Sequence, residues 1–377
     1  MICNCNNSST PRPNKLSWCH LKIIINNSVC LSKITDIANT CFDIGFWPSH
    51  FKTSMSIIIP KPNKKSYNSL KSFRPIVLLN MIGKLIEKII GERLQFCTIT
   101  NDFIHFSQLG GLKKWLTIDA SVTLTHFIHM EWVKNINTSM LTFDISQFFP
   151  SLNHYLLPKF FDKVGFDLKA SKFFGNYLVG HQTKYIWNNF SSQLFSVDVE
   201  VSQGLAFSPI LSTLYLSLVL HIFEKQLKNL KIPISFLSFV NNSLLITQNK
   251  SLSISNSFLF CSYQIISSPL KNVSLKLEYS KTKIFHFSHS TGSFNPPSLD
   301  LSPLNSPILQ QRNTWKYLGF IFDRKLSFWS HFYTNKAISI VKSIKLLRNF
   351  THGLAPQQKC LLYKSYILSI ALYGHQL

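Results

Sequence analysis

Phe143-Asp144-Ile145-Ser146-Gln147-Phe148-Phe149 places one carboxylate at the end of an apolar run. An aspartate so placed offers hard, anionic oxygens to a divalent cation. About a hundred residues later, Ser238-Phe239-Val240-Asn241-Asn242-Ser243-Leu244-Leu245 has the shape of a second metal-binding element, but its tip carries Asn241 and Asn242. An Asn side chain has a single neutral carbonyl oxygen where Asp has two charged ones. The chain thus sets one acid at a strand end and two amides at the tip of a later apolar segment.

The elements that must position these residues are legible in part. Met140 to Ile145 alternates, with Leu141, Phe143 and Ile145 on one face and Thr142 and Asp144 on the other, so Asp144 is expected at a strand end facing away from the core. The runs Ile234 to Val240 and Leu244 to Thr247 read as strands joined by Asn241-Asn242-Ser243, since Asn tolerates the positive φ of a tight hairpin. Taken alone, that segment is an Asn-rich turn and nothing more. Ser56 to Pro60 reads as a strand followed by the polar loop from Lys61 to Ser66. From Ile76 to Leu94 apolar residues recur at helical spacing, with Lys84, Glu87, Lys88, Glu92 and Arg93 among them, and predict an amphipathic helix. Trp315 to Asp323 reads as another hairpin, and Lys336 to Phe350 and Pro356 to Tyr373 as basic helices.

With 377 residues the chain can bury a large core and more than one lobe. Lys and Arg total 39 against 16 Asp and Glu, a formal charge of +23, which points to a polyanionic partner. The eight cysteines, at 3, 5, 19, 30, 41, 97, 261 and 360, form no paired CxxC, and Cys3-Asn4-Cys5 and Cys19-His20 lack zinc-ligand spacing. They read as reduced thiols of an intracellular protein, nuclear or cytoplasmic. Met1 to Lys15 has no apolar core of a secretory signal. Gly204 to Phe223 is apolar and about long enough to span a bilayer, but Pro209 and the hydroxyls of Ser208, Ser212, Thr213 and Ser217 interrupt it. No membrane partner is expected.

The order of the motifs carries more than any one of them. Ile59-Pro60-Lys61-Pro62, Ser72-Phe73-Arg74-Pro75-Ile76, Gln108 to Leu112, Phe143 to Phe149, Gln203-Gly204 to Leu211, the hairpin at 239–242, Ser280-Lys281-Thr282 and Trp315 to Gly319 resemble, in this order, the reverse transcriptases of non-LTR (LINE-type) retrotransposons, most of all in look those of fungi. The resemblance implies an α+β right-hand polymerase: an N-terminal extension (1–50), fingers (51–140), a palm on an antiparallel sheet (141–325) and a truncated helical thumb (326–377). The fingers and palm together would make a reverse transcriptase domain of about 51–325. It further implies an RNA template, a DNA primer, dNTPs and two Mg²⁺ ions held by three palm carboxylates. Asp144 matches the first, and Asn241 and Asn242 stand where the family has an Asp pair. By the same matching, Lys281 is the palm lysine that protonates pyrophosphate. Lys61, Arg74, Phe149, Gln203 and Gly204 are the dNTP-binding residues, and Trp315, Tyr317, Leu318 and Gly319 form the primer grip.

Two Asn for Asp exchanges remove two negative charges from a site built for two dications, so no meaningful polymerase activity is expected. Ser243, Leu205-Ala206-Phe207 and Trp115-Leu116-Thr117-Ile118 depart from the family as well, each by changes that C-to-T or G-to-A transitions produce. With Phe at 32 and Gly at 13, the composition fits a decayed retroelement copy. A second reading keeps the chain as a non-catalytic nucleic-acid binder. A third, of another class, is a membrane-associated structural protein built on Gly204 to Phe223.

Overall fold

The structure, a computed structural model, describes residues 16–62, 64, 66–188, 190–197, 205–290, 294–302, 308–331, 355–368 and 373. The chain begins with α1 (Trp18–Ile25), α2 (Ser28–Ile44), α3 (Ser49–Lys52), β1 (Thr53–Pro60), β2 (Phe73–Leu79), α4 (Met81–Thr100), β3 (Gln108–Leu109) and α5 (Thr117–Trp132). Its middle runs through β4 (Asn137–Ser146), α6 (Leu156–Val164), α7 (Leu168–Tyr177), β5 (His181–Trp187), β6 (Phe190–Val197) and α8 (Ser208–Leu230). After β7 (Ser235–Phe239), β8 (Asn242–Asn249) and α9 (Leu252–Asn272) come β9 (Lys276–Leu277), β10 (Lys283–Phe287), β11 (Leu299–Asp300), β12 (Ile308–Leu309), β13 (Thr314–Tyr317), β14 (Phe320–Asp323) and α10 (Pro356–Leu362). Two compact units result: Met1–Leu112 with Ile145–Lys225 and Ser267–Leu277, and Lys113–Asp144 with Gln226–Ile266 and Glu278–Leu377.

In the first unit β2, β1, β5 and β6 form a sheet in that order, β1 antiparallel to β2 and parallel to β5. The expected helix from Ile76 is shorter than its apolar spacing suggests. Ile76, Leu78 and Leu79 belong to β2, and the helix starts at Met81 because the Asn80 side chain accepts the Ile82 N–H at 3.0 Å and caps it. Helix α2 is capped at both ends, by Asn27, which accepts the N–H groups of Val29 and Cys30, and by Gly45 at φ 69°, after which Phe46 N–H returns to Cys41 O. The core is aromatic: Trp47 meets Phe173 and Tyr177 edge-on, and Phe207 meets Phe174 and Tyr177 the same way, with centroids 4.9–5.9 Å apart. Gly111 sits at φ +77°, and a Cβ there would stand 2.2 Å from Thr213 Oγ1, so no larger residue fits.

The apolar run from Gly204 to Phe223 falls mostly within α8. The hydroxyls of Ser212 and Thr213 return to Pro209 O, and that of Ser217 to Thr213 O, so their polarity is absorbed by the helix's own backbone. No described helix is long and apolar enough to cross a membrane.

The second unit holds the antiparallel run β10-β4-β8-β7. Its core forms where Phe143 of β4 packs on Phe236 of β7 and edge-on against Tyr263 of α9. Strand β4 is buried from Thr138 to Ile145, on both faces, so Asp144 is only 8% exposed rather than turned out to solvent as its alternation suggested. The second face is covered because Lys281 lies against Asp144. The hairpin β13–β14 adds Trp315 and Phe322, which pack on each other and on Phe285, Phe287 and Phe328. At about 1.5–3 kcal/mol per fully buried large side chain, that aromatic cluster outweighs any one polar contact in the unit.

Candidate active site

The antiparallel register of β4 and β8 sets Asn242 directly opposite Asp144 and Ser243 opposite Phe143. Strands β7 and β8 pair through Phe239 and Asn242, which leaves a two-residue turn of Val240 and Asn241. The turn therefore begins one residue earlier than the expected Asn241-Asn242-Ser243 and is one residue shorter. Its positive φ falls on Val240 (58°) and not on an asparagine. A positive φ at the first central residue is the arrangement of a II′-like hairpin turn. Val is β-branched, and holding it there costs about 1–3 kcal/mol, which the flanking ladder must absorb. Ser238 Oγ helps by lying 3.2 Å from Val240 O and 3.1 Å from Ser243 Oγ across the hairpin neck.

Both carboxylate oxygens of Asp144 are occupied. The Asn241 amide donates to Oδ1, and the Lys281 ammonium binds Oδ2 as an ion pair. Lys281 is held in place by the short helical turn Tyr279–Lys281, and Glu278 N–H donates to Asp144 O at 2.8 Å. Thr282, next in the chain, meets the Tyr263 hydroxyl at 3.2 Å. The resulting cleft, about 270 Å³, is lined by Asp144, Asn242, Lys281, Trp315, Tyr317 and Leu318, with Thr142, Ser280, Lys283 and Lys316 around them. Asp144 is the only carboxylate lining it among the described residues.

The expected primer-grip residues thus share a cleft with Asp144 and Lys281. Trp315 and Tyr317, two apart on β13, stack at 4.8 Å, and both are buried, which lifts the Tyr317 phenol out of its ordinary range. Leu318 and Gly319 form a two-residue turn with φ 47° and 94°, the type I′ pattern that favours glycine. Tyr373 braces this turn: its hydroxyl donates to Leu318 O at 3.0 Å and its ring stacks on Phe320 at 4.6 Å. Lys61, Arg74 and Phe149 belong to the first unit. Arg74 is exposed on β2 opposite Ile59, Lys61 N–H donates to Ser72 O, and Phe149 is half-buried against Phe148. Gln203 and Gly204 lie outside the described residues.

Glu87, one of the charges within the amphipathic pattern of α4, is fully buried. Tyr177 OH donates to Oε1 at 2.6 Å and Ala206 N–H to Oε2 at 3.1 Å, so this acid ties α4 and α7 to the segment just after Gly204. Burial raises its pKa from the usual 4.5 to about 7, against the opposing pull of its two hydrogen bonds and of Lys84. The signal was present in the spacing: Gly83, Ile86, Glu87, Ile90 and Leu94 share one helical face.

Two places invite a metal. At Asp144 the donor set does not fit a dication, because one carboxylate with both oxygens engaged, and a fixed ammonium on one of them, leaves no anionic ligand. His105, His221 and Glu224 form a second cluster, with ligand atoms within 4.8 Å of one another. There His105 Nδ1 accepts the Ser107 N–H, so Nε2 carries the proton and donates to Glu224 at 3.1 Å. In that tautomer the one ring lone pair, on Nδ1, is taken by the Ser107 N–H, and the cluster is a hydrogen-bonded pair beside a histidine.

Residues 59–322 match the family described as reverse transcriptase (RNA-dependent DNA polymerase), over more than half of the chain. The chain belongs to that family. Among its relatives, the RNA-directed DNA polymerase from mobile element jockey of Drosophila melanogaster is 26% identical over 356 residues, covering 90% of this chain and 36% of the relative. The probable RNA-directed DNA polymerase from transposon BS, also of Drosophila melanogaster, is 23% identical over 371 residues, covering 90% and 37%. These likenesses support a LINE-type reverse transcriptase, and the chain spans little more than a third of the length of these curated relatives. The structure of Candida tropicalis telomerase in complex with a TWJ fragment of telomeric RNA is similar at a TM-score of 0.50 and 12% identity, covering 92% of this chain and 57% of that one. At that identity the likeness concerns the fold, the α+β right-hand polymerase. Reverse transcriptases of this family work with divalent metal ions.

Proposed function

We propose that this chain is the reverse transcriptase domain of a LINE-type retroelement, of a kind most like fungal ones in its motifs, with its metal site disabled. The donor set at Asp144 carries this reading: one carboxylate, with Asn241 and Lys281 on its two oxygens and Asn242 across the ladder. Each missing metal ligand removes several kcal/mol of transition-state stabilisation, and about 1.4 kcal/mol is a factor of ten in rate, so the absence of two carboxylates reduces turnover by many orders of magnitude. In this reading residues 51–140 are fingers, 141–325 palm and 326–377 part of a thumb. Lys61, Arg74, Phe149, Gln203 and Gly204 descend from a dNTP site, and Trp315 to Gly319 from a primer grip. The polymer partners would be an RNA template and a DNA primer, and the location intracellular.

Primer extension on an RNA template with Mg²⁺ or Mn²⁺ tests it. The unmodified chain should incorporate nothing, and Asn241→Asp with Asn242→Asp should recover incorporation. Extension by the unmodified chain would sink the proposal of a disabled site. The excess of 39 basic over 16 acidic residues favours a second reading alongside the first, a retained capacity to bind nucleic acid without catalysis.

A further inference from the structure

The two edges of the sheet in the first unit are built differently. On one edge β2 carries Arg74 and Pro75, both exposed, a charge and a residue without an N–H that discourage pairing by a further strand. On the other edge β6, Phe190-Ser191-Ser192-Gln193-Leu194-Phe195-Ser196-Val197, has no charge and no proline. Its large side chains are exposed all the same, Phe190 by 68%, Leu194 by 50% and Phe195 by 52%, beside Trp187 at 44%. The register sets Phe190 opposite Trp187 and Phe195 opposite Thr183, so the aromatics extend one face of the sheet, where Phe195 also meets Tyr185 with centroids 6.1 Å apart. Among the described residues no strand pairs with the outer side of β6. One irregularity limits what can pair there. Ser192 and Gln193 together face Tyr185 alone, a bulge in which the Ser192 hydroxyl accepts the Tyr185 N–H at 2.9 Å and donates to Gln193 O at 2.7 Å. From Leu194 to Val197 the register is regular.

We propose that β6 is a self-association edge, on which a second copy of this chain pairs antiparallel through its own β6, about a two-fold axis at Phe195. Leu194 then faces the partner's Ser196 and Phe195 faces the partner's Phe195, with Cβ atoms about 4.5–5.5 Å apart. Charge and symmetry both select a second copy. A chain of formal charge +23 draws acidic partners to its basic faces and repels its own copies almost everywhere. An uncharged strand is where like-charged copies can meet and where an acidic segment finds no cation. Lys184 of β5 lies opposite Leu194, and the β5 strands of the two copies would stand three strand spacings apart, about 14 Å. That exceeds the Debye length of about 8 Å at physiological salt, so the two lysines do not oppose the pairing. The two-fold matches the outward N–H groups of one edge with the outward C=O groups of the other and closes on itself, which gives a dimer and not a fibre. With one short regular segment and a few large apolar side chains from each copy, the interface is at the small end for specific complexes, and the dimer is reversible.

Sedimentation velocity on the full chain, freed of nucleic acid by nuclease and followed from about 1 to 100 μM, tests this. The unmodified chain should pass from monomer to dimer in that range, and added salt should strengthen the dimer by screening the repulsion between two highly charged copies. Leu194→Lys with Phe195→Lys, at exposed positions and with folding checked by circular dichroism, should weaken association about a hundredfold or more. Val133→Lys, which removes an exposed apolar side chain just after α5, should leave the association unchanged. Hydrogen exchange supplies a readout that needs no variant: amides of Leu194 to Val197 should exchange more slowly in the concentrated chain than in the dilute one, and those of β2 should not. A chain that stays monomeric throughout, leaving the edge to a foreign strand, would overturn the proposal. So would a dimer that salt dissolves, as one bridged by RNA would, undiminished association of the lysine pair, an equal loss in Val133→Lys, or β6 amides that exchange alike at both concentrations.

Discussion

Glu87 and Asp144 are both carboxylates withdrawn from solvent, and the two units of the molecule treat them in opposite ways. Glu87 is fully buried and meets only neutral donors, the Tyr177 hydroxyl and the Ala206 amide. Asp144 is 8% exposed and meets a full positive charge, on a lysine whose side chain is 60% exposed. An acid with neutral partners deep in a core resists ionising. One with an ammonium in contact at a partly wet site gains little net stability from the pair. Glu87 is therefore built as a structural tie, whereas Asp144 lines a cleft with Lys281 paired to it.

The sharpest way to break this contrast is to delete each acid. Glu87→Ala leaves the Tyr177 hydroxyl and the Ala206 amide without their acceptor and opens a cavity in the core, and should destabilise the protein by about 3–5 kcal/mol. Asp144→Ala frees an exposed lysine that water can solvate, and should cost about 1 kcal/mol. Urea denaturation of the two variants measures both. Equal losses would mean that the Lys281 pair is worth as much as the buried tie, and the contrast would fail.

Proton linkage comes next in size. Because the folded-state pKa of Glu87 is raised from 4.5 to about 7, its contribution is complete below pH 4.5 and is lost as pH rises through 7, a loss of roughly 3 kcal/mol at 1.36 kcal/mol per pKa unit. His181, buried and lowered from 6.5 to about 4, has the opposite sign: its contribution is present above pH 6.5 and is lost as pH falls through 4. In the first unit the two slopes oppose each other over most of the same window. His286 of the second unit is likewise lowered to about 4 by burial, with the same sign as His181. Glu87→Gln should remove one slope and leave the histidines, so its stability relative to the unmodified chain rises by roughly 3 kcal/mol between pH 4.5 and 7. A difference that stays flat across that range would show that Glu87 is ionised in the fold.

How far the sequence reveals such differences depends on whether the deciding contact is local. The hairpins at 239–242 and 315–323 were legible because turn residues and alternation lie within a few positions, and Asp144 because its strand announces itself. The spacing places Glu87 on the apolar face of α4, but what it binds there is not local. Its acceptor role depends on Tyr177 and Ala206, 90 and 119 residues away. The boundary at Asn80 was missed for a related reason: Ile76, Leu78 and Leu79 fit a helical period and a strand period alike, and only the pairing with β1 decides. The cation on Asp144 was named through resemblance, for another role, and the ion pair itself joins residues 137 apart in the chain.

The smallest expected effect concerns the hairpin that delivers Asn241 to Asp144. The chain spends its left-handed turn position on Val240, although two asparagines that tolerate it better follow at once. The register explains this, since Phe239 pairs with Asn242 and so leaves Val240 as the first residue of the two-residue turn. Val240→Asn should relieve part of the strain and raise stability by about 0.5–1 kcal/mol, seen as a higher urea midpoint with unchanged slope. Because the turn lies far in sequence from Glu87 and touches neither its partners nor its proton, the gain should be the same at pH 5 and pH 8. A gain that changed with pH would mean that the hairpin and the buried tie are coupled, and that the two acids do not report on two separate environments.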